Sequence, residues 1–148
     1  MTKRPRDKVV VDTGVLISAF VFGGVPENAI KKAFATAEIW VSPQLLKEYR
    51  ETPFALKTDG KITNVQLKAL LSGIASFVVR AGVIIPETKL SLCRDEGDNM
   101  VLECCLAAKA DFLISGDNDL LELEEDTLKT AIAKLRILSP RAFLKRHK

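Results

Sequence analysis

Asp12, Glu48, Asp98 and Asp117 are the residues whose type and setting could do chemistry. Asp12 follows Val9-Val10-Val11 directly, and Asp117 follows Phe112-Leu113-Ile114-Ser115 after one glycine. Short, wholly apolar β-branched runs read as strands buried on both faces, as in a parallel α/β sheet. Chain direction then places both acids at the carboxyl ends of strands, where open α/β sheets collect ligands. Glu48 and Asp98 fall near the starts of helices. Glu48 lies about 60° around its helix from Leu45, on the shoulder of an apolar stripe. Partial desolvation there is costly unless a cation or hydrogen-bond donors compensate. Asp98 shares spacing i, i+4, i+7 with Leu102 and Cys105, so it heads an inward stripe, and its first-turn place favours negative charge.

Each acid has a plainer explanation. A lone strand-end aspartate belongs to a solvated turn, and Asp98 or Asp117 can cap a helix. Capping, however, leaves a carboxylate oxygen free. Asp95 either joins the site or caps the helix that Asp98 enters. Glu96 and Glu103 suit solvent or a supporting place, and Glu122, Glu124, Glu125 and Asp126 suit a solvated face. Taken together, the four acids cannot all stay ionised on one rim unaided, since two carboxylates at ~4 Å repel by about 4 kcal/mol at an effective dielectric near 20. Oxygen-only ligands select Mg²⁺ or Mn²⁺. Such an ion activates water and offsets charge developing on phosphate. The one histidine, His147, is next to last, and Cys93, Cys104 and Cys105 form no C-x-x-C spacing, so they read as small core residues. With no rival nucleophile, metal-assisted phosphodiester hydrolysis is the reaction these residues permit.

The elements that must position the acids alternate. Helices are expected over 26–37, from Ser42-Pro43 to about Thr52, from Thr63 towards Gly82, over 97–109, from Asn118, over 127–134, and from Ser139-Pro140 to Lys145. Strands are expected at 9–11, 39–41, 83–86 (an edge strand closed by Pro86), 112–115 and 136–138, with a turn at Thr58-Asp59-Gly60. Alternation of this kind indicates a mainly parallel sheet with helices on both faces. At 148 residues, 47% hydrophobic and 28% charged, the chain is expected to form one domain, with residues 1–7 as a flexible basic tail. Net charge is only +3. Basic residues nevertheless bunch at the ends, Lys3, Arg4, Arg6 and Lys8 at one and Arg141, Lys145, Arg146 and Lys148 at the other. Such ends are either solvated tails or phosphate contacts. The run from Val9 to Phe22 mimics a signal peptide, but Asp12 interrupts it and no cleavage site follows, so a cytoplasmic protein without membrane contact is expected.

Four blocks, Val-Val-Val-Asp12-Thr-Gly-Val-Leu-Ile-Ser-Ala, Ser-Pro-Gln-Leu-Leu-Lys-Glu48-Tyr, Cys-Arg-Asp95-Glu-Gly-Asp98-Asn-Met-Val-Leu-Glu-Cys and Leu-Ile-Ser-Gly-Asp117-Asn-Asp119-Leu-Leu, resemble the PIN-domain family in kind and order. The likeness spans nearly the whole chain and is nearest the VapC-like toxin ribonucleases of toxin–antitoxin pairs. It implies a Rossmann-like three-layer α/β/α sandwich and a Mg²⁺- or Mn²⁺-dependent endoribonuclease that uses metal-activated water. It also implies an RNA substrate, a cognate antitoxin and a homodimer. Carried over by position, Asp12, Glu48, Asp98 and Asp117 form the catalytic and metal-binding quartet, assisted by Asp119. Thr13, Ser115, Asn99 and Asp95 surround and orient them, and Arg94, Lys3, Arg4 and Arg6 meet the nucleic acid. One departure is Gly14, where the family often carries Asn or Ser, so a hydrogen bond near the metal is lost. Gly14 also stands where a haloacid-dehalogenase phosphatase needs its second acid, and no Gly-rich phosphate loop is present. The remaining alternative is a non-catalytic PIN-like domain that binds RNA or protein.

Overall fold

The computed structural model describes residues 5–146. In chain order the elements are β1 (Asp7–Val11), α1 (Thr13–Phe22), α2 (Gly24–Thr36), β2 (Ala37–Val41), α3 (Pro43–Thr58), α4 (Asn64–Val79), β3 (Gly82–Val83), α5 (Glu96–Ala108), β4 (Phe112–Ile114), α6 (Asn118–Leu121), α7 (Glu125–Ala131), β5 (Arg136–Leu138) and α8 (Pro140–Arg146). Asp7, expected in the tail, already belongs to β1. Pro5 and Arg6 precede it without secondary structure, and residues 1–4 of that tail, with His147 and Lys148, lie outside the described residues.

All five strands are parallel, in the order β3-β2-β1-β4-β5. The Rossmann-like α/β sandwich is therefore observed. β1 is the central strand, and Val9, Val10 and Val11 are wholly buried, as an apolar run covered on both faces requires. Leaving β1 the chain builds outward to β2 and β3, then returns past β1 to β4 and β5. The carboxyl ends of β1 and β4 thus flank a topological switch point, where such sheets open a crevice. Asp12 and Asp117 follow those two strands. On the β4 side the pairing of β1 runs to Val11↔Ile114, and the Asp12 N–H adds one more bond to the Ile114 carbonyl (3.0 Å).

Three local outcomes differ from expectation. α1 was not foreseen, because Val15, Leu16, Ile17, Ala19, Phe20 and Val21 are apolar all round and carry no helical period. Its inner side is core, and it packs on α2, α3 and α4. No single helix among the described residues is long and apolar enough to cross a membrane. The α1–α2 pair passes that test only together, across a 115° bend, and both contribute buried core residues. α3 runs through Pro53 to Thr58 instead of stopping near Thr52. Pro53 is buried, so packing offsets its missing N–H, and the helix ends instead at Asp59 and at Gly60, whose φ is 73°. Finally, β3 covers only Gly82–Val83 at the sheet edge, and the Gly82 backbone lies against the Trp40 ring.

Helices α1 and α4 cross closely at Gly73, where an added Cβ would fall 2.4 Å from Cγ of Phe20. The Gly73→Ala variant gains helix propensity of about 1 kcal/mol but forces ring and helix apart, which typically costs about 1–3 kcal/mol. We expect a net loss of stability in urea unfolding; an unchanged or raised midpoint would show that the crossing is loose.

A candidate metal centre at the carboxyl edge

Asp12 leaves β1 and caps α1. One of its carboxylate oxygens accepts from the Thr13 N–H (2.9 Å) and the other from the Ser115 hydroxyl (2.8 Å). Ser115, wholly buried beyond β4, accepts in turn from the Asp117 N–H (3.0 Å). One hydroxyl therefore ties together the ends of the two strands that flank the crevice. Asp117 caps α6 through the Asp119 N–H (2.8 Å). Capping and a place in the cavity hold for Asp117 at once.

Glu48 projects from α3 and accepts a short hydrogen bond from the Thr13 hydroxyl. The neighbouring Tyr49, wholly buried, donates its hydroxyl to the Val11 carbonyl. That contact occurs where the β1–β2 ladder has already stopped at Val9↔Ile39, so the tyrosine serves a strand end that β2 leaves. Helix α3 is thereby pinned to β1 one residue before Asp12. Asp98 sits in the first turn of α5, only 8% exposed. Asp95 is the cap of that helix, accepting from the N–H groups of Gly97 (2.7 Å) and Asp98 (3.2 Å).

The structure brings Asp12, Glu48, Asp98, Asp117 and Asp95 to the wall of one cavity of about 750 Å³, together with Thr13 and Gly14. Asp98, Asp117 and Asp119 each offer a carboxylate oxygen within 4.8 Å of the others. No Lys, Arg or His is among the described residues lining the cavity. The titration of the acids carries the mark of that isolation. Burial raises the Asp98 carboxyl to about 7, with help from the charge and close approach of Asp117, then from Asp95 and Asp12. Burial also raises Asp12; the Ser115 hydrogen bond opposes this, and Glu48 and Asp117 reinforce it. Only protonation or a cation can relieve such a cluster. All its donors are oxygens, which fits a hard dication such as Mg²⁺ or Mn²⁺.

The other candidates are placed as follows. Asn99, 1% exposed, touches the backbone of Cys93 instead of an acid: its Oδ1 accepts from the Cys93 N–H (2.8 Å) and its Nδ2 donates to the Cys93 carbonyl (2.9 Å), which holds the loop leading to Asp95. Glu103 accepts from the Leu90 N–H (2.9 Å) and steadies the same loop further back. Arg94 is exposed on that loop. Arg6 precedes β1, so it stands at the amino edge, roughly 20 Å of extended chain away from Asp12. Lys3 and Arg4 lie outside the described residues. Cys104 and Cys105 are core residues, as expected, and burial pushes the Cys104 thiol up to about 12. Sequence reasoning missed Gly97, where a Cβ would fall 2.9 Å from Asp95 Oδ1 and 3.5 Å from Glu48 Oε2. A glycine in a first helical turn is the signal that might have exposed it. It missed Tyr49 as well, which reads from sequence only as a core position.

The family model described as PIN domain matches residues 8–119. The chain is similar to the uncharacterized protein MJ1680 of Methanocaldococcus jannaschii, with 30% identity over 141 residues, 93% of this chain and 89% of that protein. Among solved structures it is similar to a chain of VapBC2 from Rickettsia felis, solved bound to a DNA fragment from their promoter. That match has a TM-score of 0.56 and 13% identity, covering 89% of this chain and 98% of the other, and shows a shared fold.

The titration of Asp98 predicts a stability profile for the protein in chelator. Between its ordinary value near 4 and about 7, the folded state keeps a proton that the unfolded state releases. Stability therefore falls as pH rises through that window and levels off above it. Thermal melts should follow this course. In Asp98→Asn the fall should flatten, and above pH 7 Tm should rise by roughly 2–4 °C per kcal/mol of repulsion relieved. A wild-type profile that climbs from pH 4 to 7 would contradict the assignment.

Proposed function

This chain belongs to the PIN-domain family, and on that premise we propose that it is an endoribonuclease hydrolysing RNA phosphodiesters at a Mg²⁺ or Mn²⁺ site. The observation that carries the reading is the convergence of Asp12, Glu48, Asp98 and Asp117 on a cavity with no cation among its described lining residues. Members of this family are generally nucleases. When bound, the dication supplies Lewis acidity towards phosphate and lowers the pKa of its water. Asp12, Glu48, Asp98 and Asp117 would hold it, with Asp119 assisting, and Asp98 would have to lose its proton to do so. Thr13 and Ser115 fix the carboxylates of Glu48 and Asp12 in advance, so little reorganisation would accompany reaction. Asp95 and Asn99 act through the backbone, holding the start of α5 and the loop before it. Arg94 is exposed on the same loop and meets the RNA backbone outside the cavity.

The fold shared with the VapBC2 chain and the four acidic blocks support a further assignment, the toxin half of a toxin–antitoxin pair. On this reading residues 1–148 form one nuclease domain that works in the cytoplasm as a homodimer and is held in check by a cognate antitoxin protein. Gly14 favours one alternative, a PIN-like domain that binds RNA or protein without turnover, because it removes a polar side chain from the cavity wall.

Purified full-length protein should cleave single-stranded RNA with Mg²⁺ or Mn²⁺ and stop when chelator is added. Asp12→Asn and Asp98→Asn should each lower the rate by about 100-fold or more, the scale of losing one preorganised electrostatic contact. Rates in both variants equal to wild type would reveal a contaminating nuclease. RNA bound but never cut, with either ion, would favour the binding domain.

A Cβ at Gly14 meets nothing within 4 Å, so Gly14→Ser should fold normally. Restoring a hydroxyl there should raise the cleavage rate about fivefold, the worth of a typical hydrogen bond. An unchanged rate would mean that the missing contact is not limiting.

A further inference from the structure

The catalytic rim gathers five carboxylates and no cation among its described lining residues. A polyanion approaching that rim is repelled, so its affinity must come from another surface. A second cavity, of about 340 Å³, lies away from the acids and falls within the usual range for small-ligand pockets, about 300–1,000 Å³. Its wall includes Arg6, Phe34, Glu38, Trp40, Arg80 and Gly82. Trp40 stands on β2 opposite Gly82 of β3, and Lys8 of β1 is paired with Glu38, two residues before Trp40 and on the same face of the strand. Gly82 has no side chain, and its backbone lies against the six-membered ring. The Lys8 ammonium is 5.8 Å from a ring centroid, at the outer reach of a cation–π contact. Glu38 accepts the indole N–H (3.2 Å) and fixes the ring's orientation. The Arg80 guanidinium lies 4.4 Å from the Phe34 centroid. Arg6, Lys8 and Arg80 form no salt bridge with a carboxylate among the described residues, and Arg6 and Arg80 are exposed.

We propose that this pocket binds one nucleotide unit of an RNA chain, the base against Trp40 and the flanking phosphates against Arg6 and Arg80. The inference rests on the reading of the protein as an RNA-cleaving enzyme and adds a site at which the substrate is held away from the cut. Two features select a nucleotide over other anions. Aromatic faces beside free cations match the stacking platforms that hold single-stranded nucleic acid without reading its sequence. Arg80, held on the Phe34 ring, presents a planar fork suited to phosphate oxygens, and the exposed Arg6 adds a second cation at the wall. An acidic peptide would use the cations and leave Trp40 and Phe34 idle. Lys8, loosely placed over the indole, is displaced by the entering base and turns to the phosphate.

Trp40 is the only tryptophan in the chain, so its fluorescence reports this pocket directly. The test titrates a short oligoadenylate into full-length Asp12→Asn protein in chelator, where no cleavage intervenes. Saturable quenching is expected. Arg6→Gln and Arg80→Gln, both on exposed side chains, should each lower the slope of log affinity against log salt by about one. Trp40→Leu, followed by anisotropy of labelled RNA, should bind about fivefold to a hundredfold more weakly, the range for one lost base stack. A melting temperature within a few degrees of the parent's would show that each variant remains folded. Absent quenching, or salt slopes unchanged in both arginine variants, overturns the proposal. Equal quenching by inorganic phosphate or by polyglutamate at matched charge also overturns it, since the pocket would then recognise anions or acidic peptides. The outcome is separate from that of the nuclease reading: protein that binds RNA here but never cuts it would keep this site and lose the activity.

Discussion

Mutual repulsion among carboxylates is the constraint around which this molecule is built. Burial, reinforced by the charge of the adjoining Asp117, raises the Asp98 carboxyl to about 7, and burial raises Asp12 as well. The fold supplies enough structure to hold them there. β1 and β4 pair side by side to their carboxyl ends, and the Ser115 hydroxyl links the acid after one strand to the backbone after the other. The amino ends of α1, α5 and α6 are capped by Asp12, Asp95 and Asp117, so unpaired N–H groups face the region of greatest negative charge. These contacts lessen the repulsion but do not neutralise it. A site strained in this way would gain stability by capturing a dication, which would couple folding to the chemistry proposed for it.

How legible the site is in sequence depends on whether its cause is local. Asp12 and Asp117 are legible because three buried β-branched or apolar residues before each fix strand direction, and direction alone picks the edge. Asp98 is legible because the apolar period of α5 makes it the head of the inward stripe. Glu48 is visible only as an acid on a shoulder. What makes it part of the site is the hydroxyl of Thr13, thirty-five positions earlier in the chain, and no local pattern encodes that pairing. Asn99 illustrates the reverse: the family resemblance implies a place around the acids, and its side-chain bonds are to the Cys93 backbone. α1 is hidden because a helix with apolar residues on every side has no period to detect. The passage of α3 through Pro53 is hidden because tertiary burial overrides a strong local breaker.

The two cavities differ in character. At the carboxyl edge, acids surround a cavity with no cation among its described lining residues; the second cavity, lined by Arg6 and Arg80, includes the one tryptophan, with the Lys8 ammonium over its ring. An enzyme acting on a polyanion gains from that separation. Cations inside the catalytic cavity would neutralise the acids and weaken their hold on a metal, whereas cations at a distance can attract and retain the substrate without disturbing the site.

Anomalous diffraction at the manganese edge, from crystals grown with Mn²⁺, addresses the central claim most directly. The account predicts one strong peak in the cavity at the carboxyl edge, within about 2–2.5 Å of oxygens from Asp98 and Asp117 and facing Asp12. A cavity without a peak, with Mn²⁺ bound only at surface acids such as Glu122 or Glu124, would contradict it.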